Sequence, residues 1–223
     1  MISSEAGLAP SGSPAAQTHR KSCTISPQGE GFKRTSAPGK AGALVIFSFA
    51  SALFGAFRLR GLGLRCGIIL YGTGDLAEKM GMKPVMTVKT TVSTIKDFDP
   101  DTSIGYGRRF FTTRPSRIAV LPIGYADGLF RALSGKLRVL TPYGEAQQVG
   151  RICMDMCMID VTDLPQLKVG DEIEVFGEHE LIETAAKQCG TISYELLCAV
   201  SKRVPRYYYL GGKCVDHNLQ LLG

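Results

Sequence analysis

At 223 residues, with 44% apolar residues and a formal net charge of +6, the chain is long enough for one large domain or two small ones with a sizeable buried core. The charge invites a nucleic-acid reading, but residues 1–74 hold eight Lys/Arg against two Asp/Glu, while residues 75–223 hold 18 of each. A groove that tracks phosphates needs cations clustered in the folded part, so the neutral remainder argues against a nucleic-acid partner.

Residues 1–40 are rich in Ser, Pro, Gly, Ala and Thr without an apolar period, which predicts disorder. Ala41–Phe57 is an almost uncharged apolar run flanked by Lys40, Arg58 and Arg60. It is slightly shorter than the ~20 residues a spanning helix needs, and cations on both sides leave its orientation unspecified. A membrane anchor, a buried helix and a stretch foreign to the domain are the three readings. The charge break at Asp75 favours the third, so no membrane partner is expected. Residues 1–64 are therefore set apart as a disordered or foreign segment.

Pattern resumes at Arg65 with Cys66-Gly-Ile-Ile-Leu-Tyr-Gly72, a short β-type run closed by glycine. Val85–Ile95 is dense in β-branched residues with the alternation of a half-buried strand. Further strands are predicted at Arg117–Ile123, Leu137–Thr141, Gln148–Cys153, Cys157–Val161 and Glu172–Phe176, separated by Gly, Pro and Asp turn signals. Glu180–Gln188 has helical spacing ended by Gly190. A second helix, Tyr194–Val200, has Thr191 or Ser193 available as its cap. Arg206–Leu210 is a last strand, and past Gly212 no pattern remains. Short strands at this spacing predict a β-barrel or sandwich.

The seven cysteines (Cys23, Cys66, Cys153, Cys157, Cys189, Cys198 and Cys214) lack paired spacing, so neither a disulfide framework nor a zinc site is indicated. Reduced thiols in a cytoplasmic protein are the simplest account. His19, His179 and His217 are too scattered for a metal site.

Four constellations carry the chemistry. The tripeptide Ile-Gly-Tyr occurs twice, ending at Tyr106 and Tyr125, each tyrosine between glycines with arginines nearby. A free phenol is a poor base at neutral pH, but neighbouring cations favour its ionised form, and Arg108 and Arg109 lie close in sequence. The alternative for Tyr106 is an exposed loop tyrosine without chemistry. Tyr125 and Asp127 interrupt a strong apolar strand, although Asp127 could simply be the residue of a hairpin turn. In Gly150-Arg-Ile-Cys-Met-Asp-Met-Cys-Met158 the methionines could be core fillers, while Asp155 would need a hydrogen-bond partner if buried. In Arg65-Cys-Gly-Ile68, glycine lets backbone N–H groups approach an anion and arginine could pair with a ring nitrogen or phosphate.

In this order the constellations resemble the alanine racemases, enzymes that use pyridoxal 5'-phosphate to interconvert L- and D-alanine. The likeness runs from about Arg65 to Leu210. It rests on Gly105-Tyr-Gly107, Leu121-Pro-Ile-Gly-Tyr-Ala-Asp-Gly128, Val149-Gly-Arg-Ile-Cys-Met-Asp155, Thr191-Ile-Ser-Tyr-Glu195 and Arg203-Val-Pro-Arg206. The resemblance implies a mainly β fold: the carboxy-terminal β-barrel-like domain of the family at residues 85–210, with two short helices. Residues 65–84 would be the end of the preceding α/β barrel, and 211–223 a tail.

By the same resemblance Tyr106 matches the tyrosine that exchanges the substrate's α-proton on one face. Met154 matches the methionine that helps place the substrate carboxylate, and Tyr125 the tyrosine at the entrance. Arg65 matches the arginine facing the pyridine nitrogen of the cofactor, and Gly67, Ile68 and Tyr194 match its phosphate contacts. A homodimer, or pairing with a racemase barrel, is implied, as is a cytoplasmic role supplying D-alanine for peptidoglycan precursors.

Two departures qualify the match. The family's lysine motif, a lysine-alanine-acidic/amide-alanine-tyrosine-glycine run, has no counterpart in residues 1–64, and Cys66 stands where the family has proline or an aromatic. The expectation is a truncated chain that contributes the tyrosine base and substrate contacts. The alternatives are a non-catalytic remnant of the β-domain and the domain of a membrane-tethered serine/alanine racemase.

Overall fold

The β-branched run Val85–Ile95 supplies two strands rather than one. In the computed structural model, which describes residues 22–25, 67–74, 77, 79–179 and 182–218, β2 (Met86–Thr91) and β3 (Thr94–Phe98) are separated only by Val92 and Ser93. The Val92 N–H donates to the Asp171 carbonyl at 3.0 Å, and the Ser93 N–H and hydroxyl both donate to the Val120 carbonyl at 2.9 Å. At that point the ribbon exchanges one neighbour for another.

That exchange curls the sheet. The remaining strands are β1 (Ser22–Ile25), β4 (Ser103–Ile104), β5 (Phe110–Phe111), β6 (Ser116–Leu121), β7 (Arg138–Thr141), β8 (Gly144–Val149), β9 (Cys157–Asp160), β10 (Glu172–Phe176), β11 (Arg206–Leu210) and β12 (Lys213–Asn218). Ten of them pair in the order β12-β11-β1-β2-β10-β7-β8-β9-β6-β3, and β4 with β5 form a separate hairpin. Because two residues join β2 to β3, the seven strands from one to the other must curl until their ends meet. The result is the barrel-like sheet expected, with β11, β12 and β1 extending it past β2.

Alternation explains which side faces inward. In β2, Met86, Val88 and Thr90 are buried while their neighbours are half-buried, the period-2 signature of a strand with one face on the core. The core contains Leu121, Ile159, Val161, Leu167 and Ile173, none of which exposes surface to solvent. Helix α1 (Ile182–Cys189) buries Ile182, Ala185 and Ala186, three and four residues apart on one face. Helix α2 (Ser193–Ala199) adds Leu196 to the same core. Its N-cap position is Ile192, with no side-chain cap. The Thr191 hydroxyl bonds Glu195 instead.

Several local expectations are corrected. The run Cys66–Gly72 is not a strand: Gly67–Tyr71 is one turn of 3-10 helix with Ile69 buried. Gly67 (φ +59°) and Gly72 (φ +66°) bound it in the left-handed region, which interrupts any extended run. Gln148–Cys153 also fails as a strand, because β8 lies earlier and the chain turns at Gly150 (φ +67°). Past Gly212 the chain continues as β12, paired antiparallel with β11. Gly211 and Gly212 (φ +56° and +76°) are therefore a two-residue hairpin turn, not a stop. Within residues 1–40, Ser22–Ile25 form β1, antiparallel to β2 and parallel to β11. The apolar run Ala41–Phe57 lies outside the described residues. Among the described residues no helix is long and apolar enough to cross a membrane.

Candidate active site

Three segments meet at one end of the barrel. The first is the β4–β5 hairpin, with Ile104 opposite Phe110. Those two side chains pack on a small cluster formed by Ile118, Val149 and Met158, separate from the main core. The cluster roots the hairpin, whose loop then projects Tyr106 into solvent. Gly105 (φ +77°) and Gly107 (φ +75°) turn the chain on either side of it, and Arg108 also has a positive φ of 47°, an uncommon state for a residue with a side chain. Tyr106 is 75% exposed.

The second segment follows β6. A short 3-10 turn, Tyr125–Asp127, is locked at its start: the Gly124 N–H donates to Asp127 Oδ2 at 2.9 Å, and the Asp127 N–H returns to the Gly124 carbonyl at 3.0 Å. Asp127 is thus more than a hairpin residue, since its carboxylate is fully buried. The third segment, residues 150–156, lies against this turn. The Tyr125 and Ala126 N–H groups donate to the Cys153 and Met154 carbonyls, each at 3.0 Å. Only glycine permits that approach, because a Cβ at Gly124 would stand 2.3 Å from the Cys153 carbonyl oxygen. The Ile152 N–H is held by the Ser134 hydroxyl at 3.0 Å.

Asp155 is exposed, not buried, yet it has a partner. Arg203 donates from Nη2 to Asp155 Oδ1 at 2.6 Å and from Nε to Asp127 Oδ1 at 2.8 Å. The Arg203 guanidinium is held above its ordinary pKa by the hydrogen bond to Asp127, then by the one to Asp155. The methionines divide: Met158 is buried and fills the small cluster, whereas Met154 and Met156 are about half exposed.

An open cleft of about 400 Å³ lies between the segments, lined among others by Tyr106, Tyr125, Arg131, Arg151, Met154 and Asp155. Of the predicted site residues, Tyr106, Tyr125 and Met154 share it. Gly67 and Ile68 begin the 3-10 turn that precedes β2, and Tyr194 stands half exposed on α2; none of these three lines the cleft. The turn is nonetheless tied to the domain, since the Gly74 N–H donates to Glu183 Oε1 on α1 at 2.6 Å and the Val85 N–H to the Tyr71 carbonyl at 3.1 Å. Arg65 lies outside the described residues.

Sequence reasoning missed three cations. Arg131 and Arg151 line the cleft, and a guanidinium nitrogen of Arg151 lies 3.6 Å from where a Cβ on Gly107 would be. Arg203 had its signal in the Arg203-Val-Pro-Arg206 segment, to which no role was given. Burial raises the Cys153 thiol pKa, opposed by Arg131, and pushes that of Cys157 up to about 12. Both thiols are free. Among the described residues no group of His, Cys, Asp and Glu could hold a metal ion. What the cleft offers is two phenols that can donate or accept protons and two guanidiniums suited to a carboxylate.

The fold and cleft define a curled β-domain with an open, tyrosine- and arginine-lined cleft. The chain belongs to the alanine racemase family, since the profile described as "Alanine racemase, C-terminal domain" matches residues 85–208. Alanine racemase 1 of Clostridium acetobutylicum is 48% identical over 159 residues, covering 68% of this chain and 41% of that protein. The alanine racemase of Clostridium perfringens is 46% identical over 154 residues, 66% of this chain and 40% of that one. Solved relatives include the alanine racemase of Clostridium difficile 630 in complex with cycloserine (TM-score 0.67, 41% identity, 72% of this chain and 44% of that one). Another is the Bartonella henselae alanine racemase with covalently bound pyridoxal phosphate (TM-score 0.63, 36% identity, 66% and 42%). The chain thus spans about two fifths of the length of the curated relatives it matches.

Proposed function

We propose that this chain supplies one side of an alanine racemase site, in which L- and D-alanine interconvert with pyridoxal 5'-phosphate as cofactor. Its partner is a racemase barrel that carries the family's lysine motif, and the setting is the cytoplasm, where D-alanine feeds peptidoglycan precursors. The observation that carries this reading is convergence. Tyr106 and Met154, from segments far apart in sequence, open onto one cleft, with the phenol standing clear of the domain surface.

The residues present suit the cofactor. Gly67 is exposed and begins a helical turn, with nothing within 4 Å of where its Cβ would be. The first N–H groups of such a turn have no partner inside it and suit phosphate oxygens. Gly67 and Ile68 would hold the phosphate with the Tyr194 hydroxyl, and Arg65 would face the ring nitrogen; because none of the first three lines the Tyr106 cleft, Tyr106 would serve a cofactor held by the partner. When bound, the cofactor acts as an electron sink for the carbanion at the substrate α-carbon.

Tyr106 then exchanges the α-proton through its hydroxyl on one face. Met154 and its loop seat the substrate carboxylate, and the Tyr125 ring narrows the entrance against water. The base for the opposite face is the lysine of the family motif, which residues 1–64 lack, so it comes from the barrel partner. The test is reconstitution. Purified chain, a racemase barrel carrying that lysine and pyridoxal 5'-phosphate should together convert L- to D-alanine, and Tyr106→Phe should abolish the conversion. A well-folded pair with no conversion, or conversion that survives Tyr106→Phe, overturns the proposal.

A further inference from the structure

Arg203 joins three segments that are remote in sequence. It lies 76 residues from Asp127 and 48 from Asp155, and its guanidinium reaches both through different nitrogens. Its own turn is fixed from below. The Ser201 N–H donates to the Asp127 carbonyl at 3.0 Å, the Val204 N–H to the Ser201 carbonyl at 3.1 Å, and Arg206 Nη2 to the Val200 carbonyl at 2.9 Å. A buried carboxylate such as Asp127 has to be paired, and pairing alone would need one arm of the guanidinium. The second arm runs outward to a half-exposed Asp155, where nothing about burial demands it.

We propose that Arg203 is a positioning residue that clasps the Tyr125 turn to the Met154 loop and so sets the width of the cleft. Two peptide N–H groups, of Tyr125 and Ala126, bridge the same pair of segments. They place backbone against backbone, and the Cys153 N–H closes the loop on itself at the Met156 carbonyl (2.9 Å), but neither ties the Asp155 side of the 150–156 loop to the Tyr125 turn. Arg203 closes that side, because Asp155 directly follows Met154. A lysine is not equivalent, since its point-like ammonium on a flexible stem lacks the rigid fork that holds two carboxylates in fixed directions. The consequence for substrate rests on the racemase reading; the clasp does not.

The test is native-state hydrogen exchange on the full chain, following the amides of Tyr125 and Ala126 against those of β6 and β9. Asp155→Ala cuts only the outer arm and leaves Asp127 paired. It should speed exchange at Tyr125 and Ala126 by about tenfold, the scale of one charged hydrogen bond, with β6 and β9 unchanged. Arg203→Lys should not restore slow exchange relative to Arg203→Gln. Wild-type rates at Tyr125 and Ala126 in Asp155→Ala, equal acceleration of the β6 and β9 amides, or rescue by lysine would overturn the clasp. In the reconstituted enzyme, Asp155→Ala should raise KM for alanine by a larger factor than it lowers kcat. A wild-type pair without turnover would remove the racemase reading while leaving the exchange result to decide the clasp.

Discussion

In the barrel wall, Ile118, Leu121 and Ile159 are sealed from solvent, and their strands read as alternating or continuous apolar runs. On the cleft rim, Tyr106, Tyr125 and Met154 are about half to three-quarters exposed, and their segments are held by carboxylates, a guanidinium and close backbone contact. The wall is stabilised by area removed from water, which tolerates small displacements and rewards volume. The rim is stabilised by directional bonds that fix where a side chain points and contribute little to the net stability. Strength and placement are thus carried by different residues, and substitutions can pull them apart.

The largest effect is expected in the wall. Ile159→Ala should cost about 2–5 kcal/mol, the lost transfer energy plus a cavity that β8 and β6 cannot fill from either side. Urea titration measures it; a loss below about 1 kcal/mol would mean that the wall is not the main source of stability. Next comes the seam between wall and rim. In Gly124→Ala the new methyl would stand 2.3 Å from the Cys153 carbonyl oxygen and 2.4 Å from that of Met154. Both obstacles are backbone, so the segments must part, at about 1–3 kcal/mol. The Tyr125 and Ala126 amides should then lose protection before the β9 amides do.

The same division explains what the sequence made legible. Strands β6, β7, β9 and β10 and both helices lie close to their expected positions, because burial leaves a periodic trace in residue type. Of strand β8, Gly144–Val149, only the last two residues fell within the strand expected at Gln148–Cys153, since its inward face pairs Ala146 with the polar Gln148. That side chain is fully buried, yet satisfied by the Gly135 N–H and by the Val149 and Gly150 carbonyls. The break at Val92 was invisible for the opposite reason. Both halves of the run are good strand sequence, and only the distant partners Asp171 and Val120 decide where it bends. In the site, Tyr106 and Tyr125 stood out because glycines flank them, whereas Met154 took its expected role only from the family resemblance. Arg203 did not, because its meaning lies in two carboxylates brought to it by the fold.

Alkaline pH gives a smaller and graded test. The Cys157 thiol, on β9 and buried, has its pKa pushed from 9.0 to about 12. Between those values the unfolded chain gives up the proton while the folded chain keeps it. The unfolded state then binds fewer protons, so stability falls as pH rises, by at most about 1.4 kcal/mol per unit. Below pH 9 this contribution is level. Urea unfolding of wild type and Cys157→Ala from pH 8 to 10.5 should therefore show the gap between them narrowing only above 9. A constant gap would mean that water reaches the thiol and that the wall is leakier than its burial indicates.

The smallest expected change in stability belongs to the residue with the largest proposed consequence. Tyr106→Phe removes one hydroxyl from a ring that is three-quarters exposed and whose hairpin is anchored by Ile104 and Phe110 instead. Its unfolding free energy should stay within about 0.5 kcal/mol of wild type, the usual range for surface positions. If the phenol exchanges a proton with substrate, loss of that oxygen should nevertheless abolish racemisation in the reconstituted enzyme. A destabilisation well above that range would show that the hydroxyl has a structural partner and that the rim shares the load of the wall. Full stability with full turnover would leave the wall intact and strip Tyr106 of its proposed part in the chemistry. Only the combination of an unchanged melt and absent turnover matches a domain in which one set of residues holds the barrel and another aims a single proton-transfer group at the partner's substrate.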